Sequence, residues 1–309
     1  MNGFINILKP PGMTSHDVVN FVRRTLGIKK AGHTGTLDPG AAGVLLICLG
    51  GATRLAGYLS DEDKEYRAEI TFGLTTLSGD TYDEITNEKD ASFLSEDEVR
   101  SVLTYFRGKI TQVPPMTSAI KINGKKLYRL ARAGLTVDRP GRIADIKYLE
   151  FISGSGWGTP HPRALLQMVC SKGAYVRTLC LDIGDKLGCG ALMSFLVRTG
   201  VGPYKISDAL TLEEVQSLNT NNTLMDKVIS IDQALSELPA VFVKNGAVPA
   251  VLSGAKLYLP GIDQLPKGLN EGDRVRLVGP EGFLAVAETS FDPQDVERVI
   301  FKPVCVLPR

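Results

Sequence analysis

The sequence predicts an α+β fold with a small β-barrel at its C-terminal end, and three observations support this. Stretches in which apolar and polar residues alternate, such as 65–73, are typical of half-buried strands. Amphipathic stretches that begin at Ser or Thr capping residues are typical of helices. Beyond residue 239, short apolar runs separated by Gly and Pro turns predict a compact all-β unit.

The composition is that of an ordinary globular protein, and the length suits two domains. The 309 residues are 43% hydrophobic and 22% charged, with a formal net charge of +1. No apolar run approaches the roughly 18 residues that span a bilayer, and the N-terminus lacks the pattern of a signal peptide. We therefore expect a cytoplasmic protein without a membrane partner.

The cysteines and histidines argue against a metal site. The five cysteines show no C-x-x-C spacing and lie mostly in apolar runs, which is typical of small buried hydrophobic residues. The three histidines, His16, His33 and His161, are scattered along the chain and form no ligand pattern. The sequence predicts neither a bound metal nor a disulfide.

The N-terminal segment reads as a strand, a turn and a helix. Residues 4–8 predict the strand, which ends at Lys9 and the Pro-Pro-Gly sequence after it. The helix begins at Thr14, with Asp17 as its capping-box partner, and ends at Gly27. Local evidence gives Lys9 two equally supported interpretations: it reaches a phosphate or the next loop, or it is a solvated turn lysine.

The loop at 31–40 contains three glycines and precedes the apolar run 44–49, which predicts a buried strand. Its carboxylate, Asp38, lies directly before Pro39, and this disfavours a helical conformation at residue 38. From the residues alone, two interpretations stay open. Asp38 is a turn aspartate that bonds to its own backbone, which is the commoner case, or it is presented to a ligand.

The alternating stretch 65–73 places Tyr66 on the apolar face, together with Ala68, Ile70 and Phe72. A core tyrosine is the simpler interpretation of this pattern. Downstream, Ser95 and Glu98 form a second capping box before an amphipathic helix.

A basic segment follows, with ten basic residues and two acidic ones over 107–147. An Asn-Gly pair at 123–124 predicts a hairpin within this segment, and a short helix is predicted over 127–133. A local concentration of positive charge suits phosphate binding, although a solvated surface would have the same composition. We expect the segment to be peripheral.

Residues 163–170 predict a strand that leads into a helix with apolar positions from Val176 to Leu187. Arg177 falls in the first turn of that helix, where the helix dipole disfavours a cation. A carboxylate partner would explain its position, and an ordinary surface arginine is the alternative.

The remaining elements are two helices and a set of short strands. The helices are predicted to begin near Thr211 and Ser230, and the second is predicted to end at Leu238. The strands are predicted over 273–278, 283–287 and 299–306.

Five motifs, in register along the first two thirds of the chain, resemble those of the TruB family of tRNA pseudouridine synthases. They are NILKPPGMTS at 6–15, GHTGTLDP at 32–39, KEYR at 64–67, CSKGAYVRT at 170–178 and LVRT at 196–199. Five matches in order are far more specific than any single motif. The resemblance implies a mixed, largely antiparallel sheet flanked by helices. It also implies a catalytic domain over 1–238 with an RNA-gripping insertion at about 107–147, and a PUA-like RNA-binding β-barrel over 239–309.

The resemblance also implies roles for individual residues. Asp38 would be the catalytic carboxylate, held ionised and oriented by Arg177. Tyr66 would stack on the target base, and His33 would fill the space that the base leaves. The implied substrate-binding residues are Lys9, His33, Tyr66, Tyr175, Arg177 and Leu196.

The implied reaction isomerises uridine 55 in the T loop of tRNA to pseudouridine by base flipping, without a cofactor or metal. Three routes stay open for Asp38: attack at C1′, attack at C6, or removal of the C2′ proton. The implied partner is tRNA, bound through the T stem-loop, with the acceptor stem as a further contact of the C-terminal domain. We expect a monomer without an obligatory protein partner.

Two other functions compete with this one. The guide-RNA-dependent relatives share the motifs, but the basic insertion and the lack of a lysine-rich tail favour the stand-alone bacterial type. A non-catalytic tRNA-binding or tRNA-folding protein would use the same surface. The presence of Asp38, Tyr66 and Arg177 argues against an inactive protein.

Overall fold

A computed structural model describes residues 1–118, 120–122, 124–292 and 295–307. Its helices and strands, labelled in chain order, are β1 (Gly3–Lys9), α1 (Ser15–Thr25), β2 (Ala31–His33), β3 (Ala42–Leu49), α2 (Ala56–Leu59), β4 (Lys64–Phe72), β5 (Leu74–Thr76), β6 (Ile85–Glu88), α3 (Glu96–Leu103), β7 (Gly108–Gln112), β8 (Lys121–Ile122), β9 (Lys125–Lys126), α4 (Leu127–Arg132), β10 (Arg142–Ser155), β11 (Arg163–Cys170), α5 (Val176–Lys186), β12 (Ala191–Val201), β13 (Tyr204–Lys205), α6 (Leu212–Thr220), α7 (Ile231–Ala234), β14 (Ala240–Val243), α8 (Val248–Leu252), β15 (Leu257–Tyr258), β16 (Ile262–Gln264), β17 (Arg274–Gly279), β18 (Gly282–Asp292) and β19 (Asp295–Val306).

The larger sheet has the strand order β1-β3-β12-β4-β11-β10-β7, with β2 on β3 and β13 on β12. Neighbouring strands along this order run antiparallel, except that β12 runs parallel to β3. The smaller sheet has the order β15-β19-β18-β17-β14-β16 and forms a nearly closed barrel. The predicted α+β fold, with a mixed, largely antiparallel sheet and a C-terminal barrel, is therefore confirmed.

The two predicted capping boxes form at the starts of α1 and α3, and the helices predicted to begin near Thr211 and Ser230, α6 and α7, also start with capping boxes. One helix differs from its prediction, because α7 ends at Ala234 and not at Leu238. Arg276 of β17 donates hydrogen bonds to the carbonyl oxygens of Leu238 and Asp232, at 3.0 and 3.2 Å. The apolar periodicity of the sequence predicts that α7 continues to Leu238. The bonds from Arg276 instead turn the chain toward β14 after Ala234.

Strand β3 explains why residues 44–49 are continuously apolar. Leu45, Ile47 and Leu49 pack in a cluster with residues of α1 and α6, whereas Val44, Leu46 and Cys48 pack in two other clusters. A strand that is buried on both faces has no solvent-facing position for a polar side chain. The loop that carries Asp38 therefore leads into one of the most buried strands of the protein.

The two sheets share a hydrophobic cluster. Phe4, Cys48 and Leu55 from the first part of the chain pack together with Val286 of β18. The Arg54 guanidinium also donates to the carbonyl oxygen of Val306, at 3.1 Å. These contacts hold the barrel against the β1–β3 side of the larger sheet.

The predicted Asn-Gly hairpin falls partly outside the described residues, because Asn123 is not among them. Strands β8 and β9 pair antiparallel on either side of it. Among the described residues, no helix is both long enough and apolar enough to cross a membrane. Cys48, Cys170, Cys180 and Cys189 are buried free thiols, which agrees with their prediction as small hydrophobic residues.

The packing predicts a large stability difference between two isoleucine truncations. Ile47→Ala removes a fully buried side chain from β3, and we expect the free energy of unfolding to fall by about 2–5 kcal/mol. Ile152→Ala in β10 is the matched control, since that side chain is 41% exposed and its loss should cost less than about 1 kcal/mol. Urea unfolding of both variants measures the difference, and equal effects would contradict the assigned core.

Candidate active site

The loop between β2 and β3 is held on one side by Lys9, the last residue of β1. The Lys9 ammonium is fully buried and donates hydrogen bonds to the carbonyl oxygens of Pro10, Pro39 and Ala41, at 2.8, 3.1 and 2.7 Å. Burial lowers the pKa of Lys9 from its ordinary value of 10.5 to about 8, against the opposing effect of Asp38. Lys9 therefore contacts the loop and is not a solvated turn residue.

Arg198 of β12 holds the other side of the same loop. Its guanidinium is also buried and donates to the carbonyl oxygens of Val44, Gly35 and Thr36, at 2.7, 3.2 and 3.4 Å. Arg198 belongs to the LVRT motif, but no role was predicted for it. Its partners lie more than 150 residues away along the chain, so only the folded structure reveals the contact.

Ser15, the first residue of α1, completes the support of the loop. Its hydroxyl donates to the Leu37 carbonyl at 2.9 Å and lies 2.8 Å from the Leu37 backbone nitrogen, from which it can accept. The Leu37 side chain is buried in the core of the larger sheet. The residues before and after Asp38 are thus fixed by α1, β1 and β12, which leaves the Asp38 side chain little freedom to move.

Asp38 forms an ion pair with Arg177, the second residue of α5. Arg177 Nε lies 3.0 Å from Asp38 Oδ2, and Nη2 lies 3.4 Å from Oδ1. The arginine side chain is 5% exposed and the aspartate side chain 35%, so the carboxylate lies at the open end of the pair. This two-point contact fixes both the position and the rotation of the carboxylate.

A second carboxylate, Asp80, lies on the far side of Arg177. Its Oδ2 is 3.5 Å from Arg177 Nη1, and its side chain is 13% exposed. Arg177 also donates to the carbonyl oxygens of Ser78 and Thr117, at 3.2 and 3.3 Å, and to the Thr117 hydroxyl. These oxygens compensate the charge of a buried cation at a helix N-terminus, where the dipole opposes it.

The protonation of Asp38 is set by opposing effects. Burial raises its pKa, the Arg177 charge opposes that rise, and the Asp80 charge adds to it. Burial outweighs the ion pair at this site, so the net pKa of Asp38 is raised above its ordinary value. The family resemblance implied that the ion pair with Arg177 sets the ionisation of Asp38. That prediction is incomplete, because burial and Asp80 also act on the pKa of Asp38.

The basic segment 107–147 reaches the site, contrary to the expectation that it is peripheral. Thr117 contacts Arg177 as described above. Gln112, at the end of β7, is 2% exposed, and its side-chain amide bonds to both the backbone N–H and the carbonyl of Tyr175, at 3.0 and 3.2 Å. Gln112 thereby fixes the residue that precedes α5. Neither Thr117 nor Gln112 was predicted, because no local pattern marks them.

The predicted base-contacting residues lie in or beside the same core. Tyr66 of β4 and Leu196 of β12 are 9% and 5% exposed and belong to one hydrophobic cluster with Leu37. Burial raises the pKa of the Tyr66 hydroxyl, so it stays neutral near pH 7. Tyr175 is half-buried in the turn before α5.

His33 ends β2 and is half-buried. Its Nδ1 is buried and has no hydrogen-bond partner within the described part of the chain. Burial, Arg198 and His16 all lower its pKa, which favours the uncharged ring. The structure therefore gathers Lys9, His33, Tyr66, Asp38, Arg177, Tyr175 and Leu196 around the loop and its neighbouring strands.

Comparison with sequence families gives matches along nearly the whole chain. The family described as TruB family pseudouridylate synthase (N terminal domain) matches residues 23–176. The tRNA pseudouridylate synthase B C-terminal domain matches 177–236, and the PUA domain matches 239–304. No cluster of His, Cys, Asp or Glu suited to a metal ion is found among the residues that the structure describes.

Two curated relatives match over nearly their full length. The tRNA pseudouridine synthase B of Pelotomaculum thermopropionicum is 62% identical over 309 residues, which is 100% of this chain and 98% of that protein. The tRNA pseudouridine synthase B of Bacillus licheniformis is 45% identical, with 99% and 97% of the two chains covered.

Solved structures with the same fold include an H/ACA RNP bound to a substrate RNA containing 2′-deoxyuridine, with a TM-score of 0.75 and 29% identity. That match covers 99% of this chain and 85% of the other. The archaeal box H/ACA sRNP Nop10-Cbf5 complex matches with a TM-score of 0.74 and 28% identity, over 98% and 85% of the two chains.

The environment of Lys9 predicts an unusual titration. We expect the Lys9 side chain to lose its proton with a midpoint near pH 8, because burial disfavours the charged form. In the unfolded chain the same group loses its proton near pH 10.5. Between pH 8 and 10.5 the unfolded state therefore binds more protons than the folded state, and the free energy of unfolding rises with pH. The ¹³Cε resonances of the lysines measure the midpoint, and Lys9→Met identifies the signal by its loss. A midpoint above 10 would contradict the buried position.

Proposed function

The chain belongs to the TruB family of pseudouridylate synthases, and we propose that it isomerises uridine 55 in the T loop of tRNA to pseudouridine. The observation that carries the proposal is a single partly exposed carboxylate, Asp38, held by Arg177 on a loop that buried cations fix from both sides. The curated relatives that are named tRNA pseudouridine synthase B supply the substrate class.

The reaction needs one well-placed carboxylate. The N1–C1′ bond of the uridine breaks, the uracil reorients, and a C5–C1′ bond forms as C5 gives up its proton, while N1 takes up a proton. Atoms and electrons therefore balance without an oxidant or reductant. Asp38, ionised and fixed by Arg177, acts as the nucleophile at C1′ or C6 or as the base that removes the C2′ proton. Its raised pKa suits each of these roles, because a more basic carboxylate is the better nucleophile and the better base.

Base binding follows from the side chains next to Asp38. The target base leaves the RNA loop, which loses stacking worth a few kcal/mol. Tyr66 would stack on the flipped base, and Leu196 and Tyr175 would form the walls that keep the detached uracil in place. His33, neutral and with an unpartnered Nδ1, would occupy the space that the base leaves.

The rest of the chain would bind the RNA by shape and charge. The insertion at 107–147 extends from the site with β8, β9 and α4, and its basic residues suit the phosphate backbone. We place the boundary between the catalytic and PUA-like domains at 238/239, where α7 and the turn after it give way to β14. The PUA-like domain would contact the acceptor stem.

Two features favour a stand-alone enzyme. The two relatives named tRNA pseudouridine synthase B that are described above are 62% and 45% identical, whereas the two H/ACA structures described above are 29% and 28% identical. Arg177 is compensated within this chain, by Asp38, Asp80 and Thr117, so the site needs no second protein to complete it. We therefore propose a cytoplasmic monomer that acts without a guide RNA, a cofactor or a protein partner.

The test is to incubate the purified protein alone with unmodified tRNA and to map any pseudouridine that forms. We expect product at position 55 and none with Asp38→Asn, since the amide is neither a base nor a nucleophile. The Asn variant should bind a T-stem-loop RNA as well as the wild type does.

Asp97→Asn is the matched control, because Asp97 is an exposed carboxylate in the first turn of α3, and its activity should not change. Product at another position would refute the substrate while keeping the chemistry. Full activity of Asp38→Asn would refute the catalytic assignment.

Arg177→Lys tests the role of the ion pair. A lysine keeps the charge but cannot contact Asp38, Asp80 and the two backbone carbonyls at once. We expect the single-turnover rate to fall by at least about a hundredfold, as for a misplaced catalytic group. Arg163→Lys, at an exposed pair with Glu69, should leave the rate unchanged. Equal rates for the two variants would disprove the positioning role of Arg177.

A further inference from the structure

The ring of Tyr82 lies against the Asp38 loop but stays largely in solvent. A Cβ atom built on Gly40 would lie 2.7 Å from the Tyr82 hydroxyl oxygen and closer still to the ring. The backbone of Gly40 does not have the positive φ that calls for glycine. A side chain at position 40 would therefore require the Tyr82 ring to move, although the backbone itself would accept one. Even so, Tyr82 is 66% exposed.

Hydrogen bonds connect the position of Tyr82 to the ion pairs of the site. The Tyr82 backbone N–H donates to Asp80 Oδ1 at 3.0 Å, and the other oxygen of Asp80 faces Arg177. The Ser78 hydroxyl donates to the same Oδ1 at 2.8 Å. The turn that carries Tyr82 is also bonded to β12, since the Met193 N–H donates to the Gly79 carbonyl at 2.9 Å. Tyr82 is thus held on a fixed turn at the rim of the site.

The exposed ring has the chemistry of a base-stacking surface. The Tyr82 ring meets the Asp38 loop at Gly40, which is two residues from Asp38 along the chain. Single exposed aromatics are common on proteins, but this one borders a site that we propose acts on an RNA loop. Unstacked bases of such loops bind by stacking on aromatic side chains.

We propose that Tyr82 is a stacking platform for a second unpaired base of the RNA loop, distinct from the target uridine. The inference rests on the proposed function and extends it. Stacking on Tyr82 fixes the loop nucleotide outside the pocket, while Asp38 acts on the nucleotide inside it. Because Asp80 contacts both the Tyr82 backbone N–H and Arg177, the backbone that carries the platform is held beside the catalytic carboxylate.

The experiment measures binding and product formation separately, with a T-stem-loop RNA. We expect Tyr82→Ala to weaken the affinity about tenfold and to raise KM by the same factor, within the range of a lost base–aromatic stack. Tyr82→Phe should keep the affinity, because stacking needs the ring and not the hydroxyl. Tyr105→Ala is the matched control, a 67% exposed tyrosine whose ring faces Lys186 and not the Asp38 loop, and its affinity should not change.

RNAs with one abasic nucleotide at each loop position other than the target identify the stacked base. At that position, we expect the abasic change to weaken binding to the wild type and to have no further effect in Tyr82→Ala. The platform is overturned by unchanged affinity in Tyr82→Ala, by an equal loss in Tyr82→Phe, or by abasic effects that are the same in both proteins at every position. Absence of pseudouridine with the wild type would instead overturn the proposed function, since affinity is read independently of product.

Discussion

The arrangement of the site depends on a buried cation, Arg177. At the N-terminus of α5 the helix dipole opposes its charge, and burial removes most of its water. Its stability therefore requires oxygens on several sides, which Asp38, Asp80, Ser78 and Thr117 supply. These partners come from different parts of the chain, so the folding of α5 against β12 and the turn at 78–80 assembles the Asp38–Arg177 ion pair. Removal of any partner would leave part of the charge uncompensated.

Two further buried cations serve the loop in the same way. Lys9 and Arg198 together bond to backbone carbonyls on both sides of Asp38. Desolvation of an ammonium and a guanidinium is unfavourable, as the lowered pKa of Lys9 shows. In the proposed function the compensating gain is preorganisation, because a carboxylate on a fixed loop would need no rearrangement when the nucleotide binds. Burial of these two cations thus lowers the stability of this region but fixes the geometry of the Asp38 loop.

Local patterns predicted much of the fold but little of this network. Strand β4 and helix α1 followed from alternation and a capping box, which depend on neighbouring residues. Strands β10 and β12 were not predicted, because bulges interrupt their alternation and β12 is buried along much of its length. The pairing of Asp38 with Arg177 came from the family resemblance. Arg198, Gln112 and Thr117 were missed, because their partners are 60 or more residues away.

Asp80 joins the interior of the site to its rim. One carboxylate oxygen faces Arg177, and the other accepts bonds from Ser78 and from the backbone of Tyr82. The charge balance that raises or lowers the pKa of Asp38 therefore involves the same group that shapes the exposed edge next to Gly40. A change at Asp80 would act on both the protonation of Asp38 and the position of Tyr82. In the proposed function, Asp80 would therefore couple the chemistry at Asp38 to substrate contact at Tyr82, and substitutions at the ring of Tyr82 itself would separate the two.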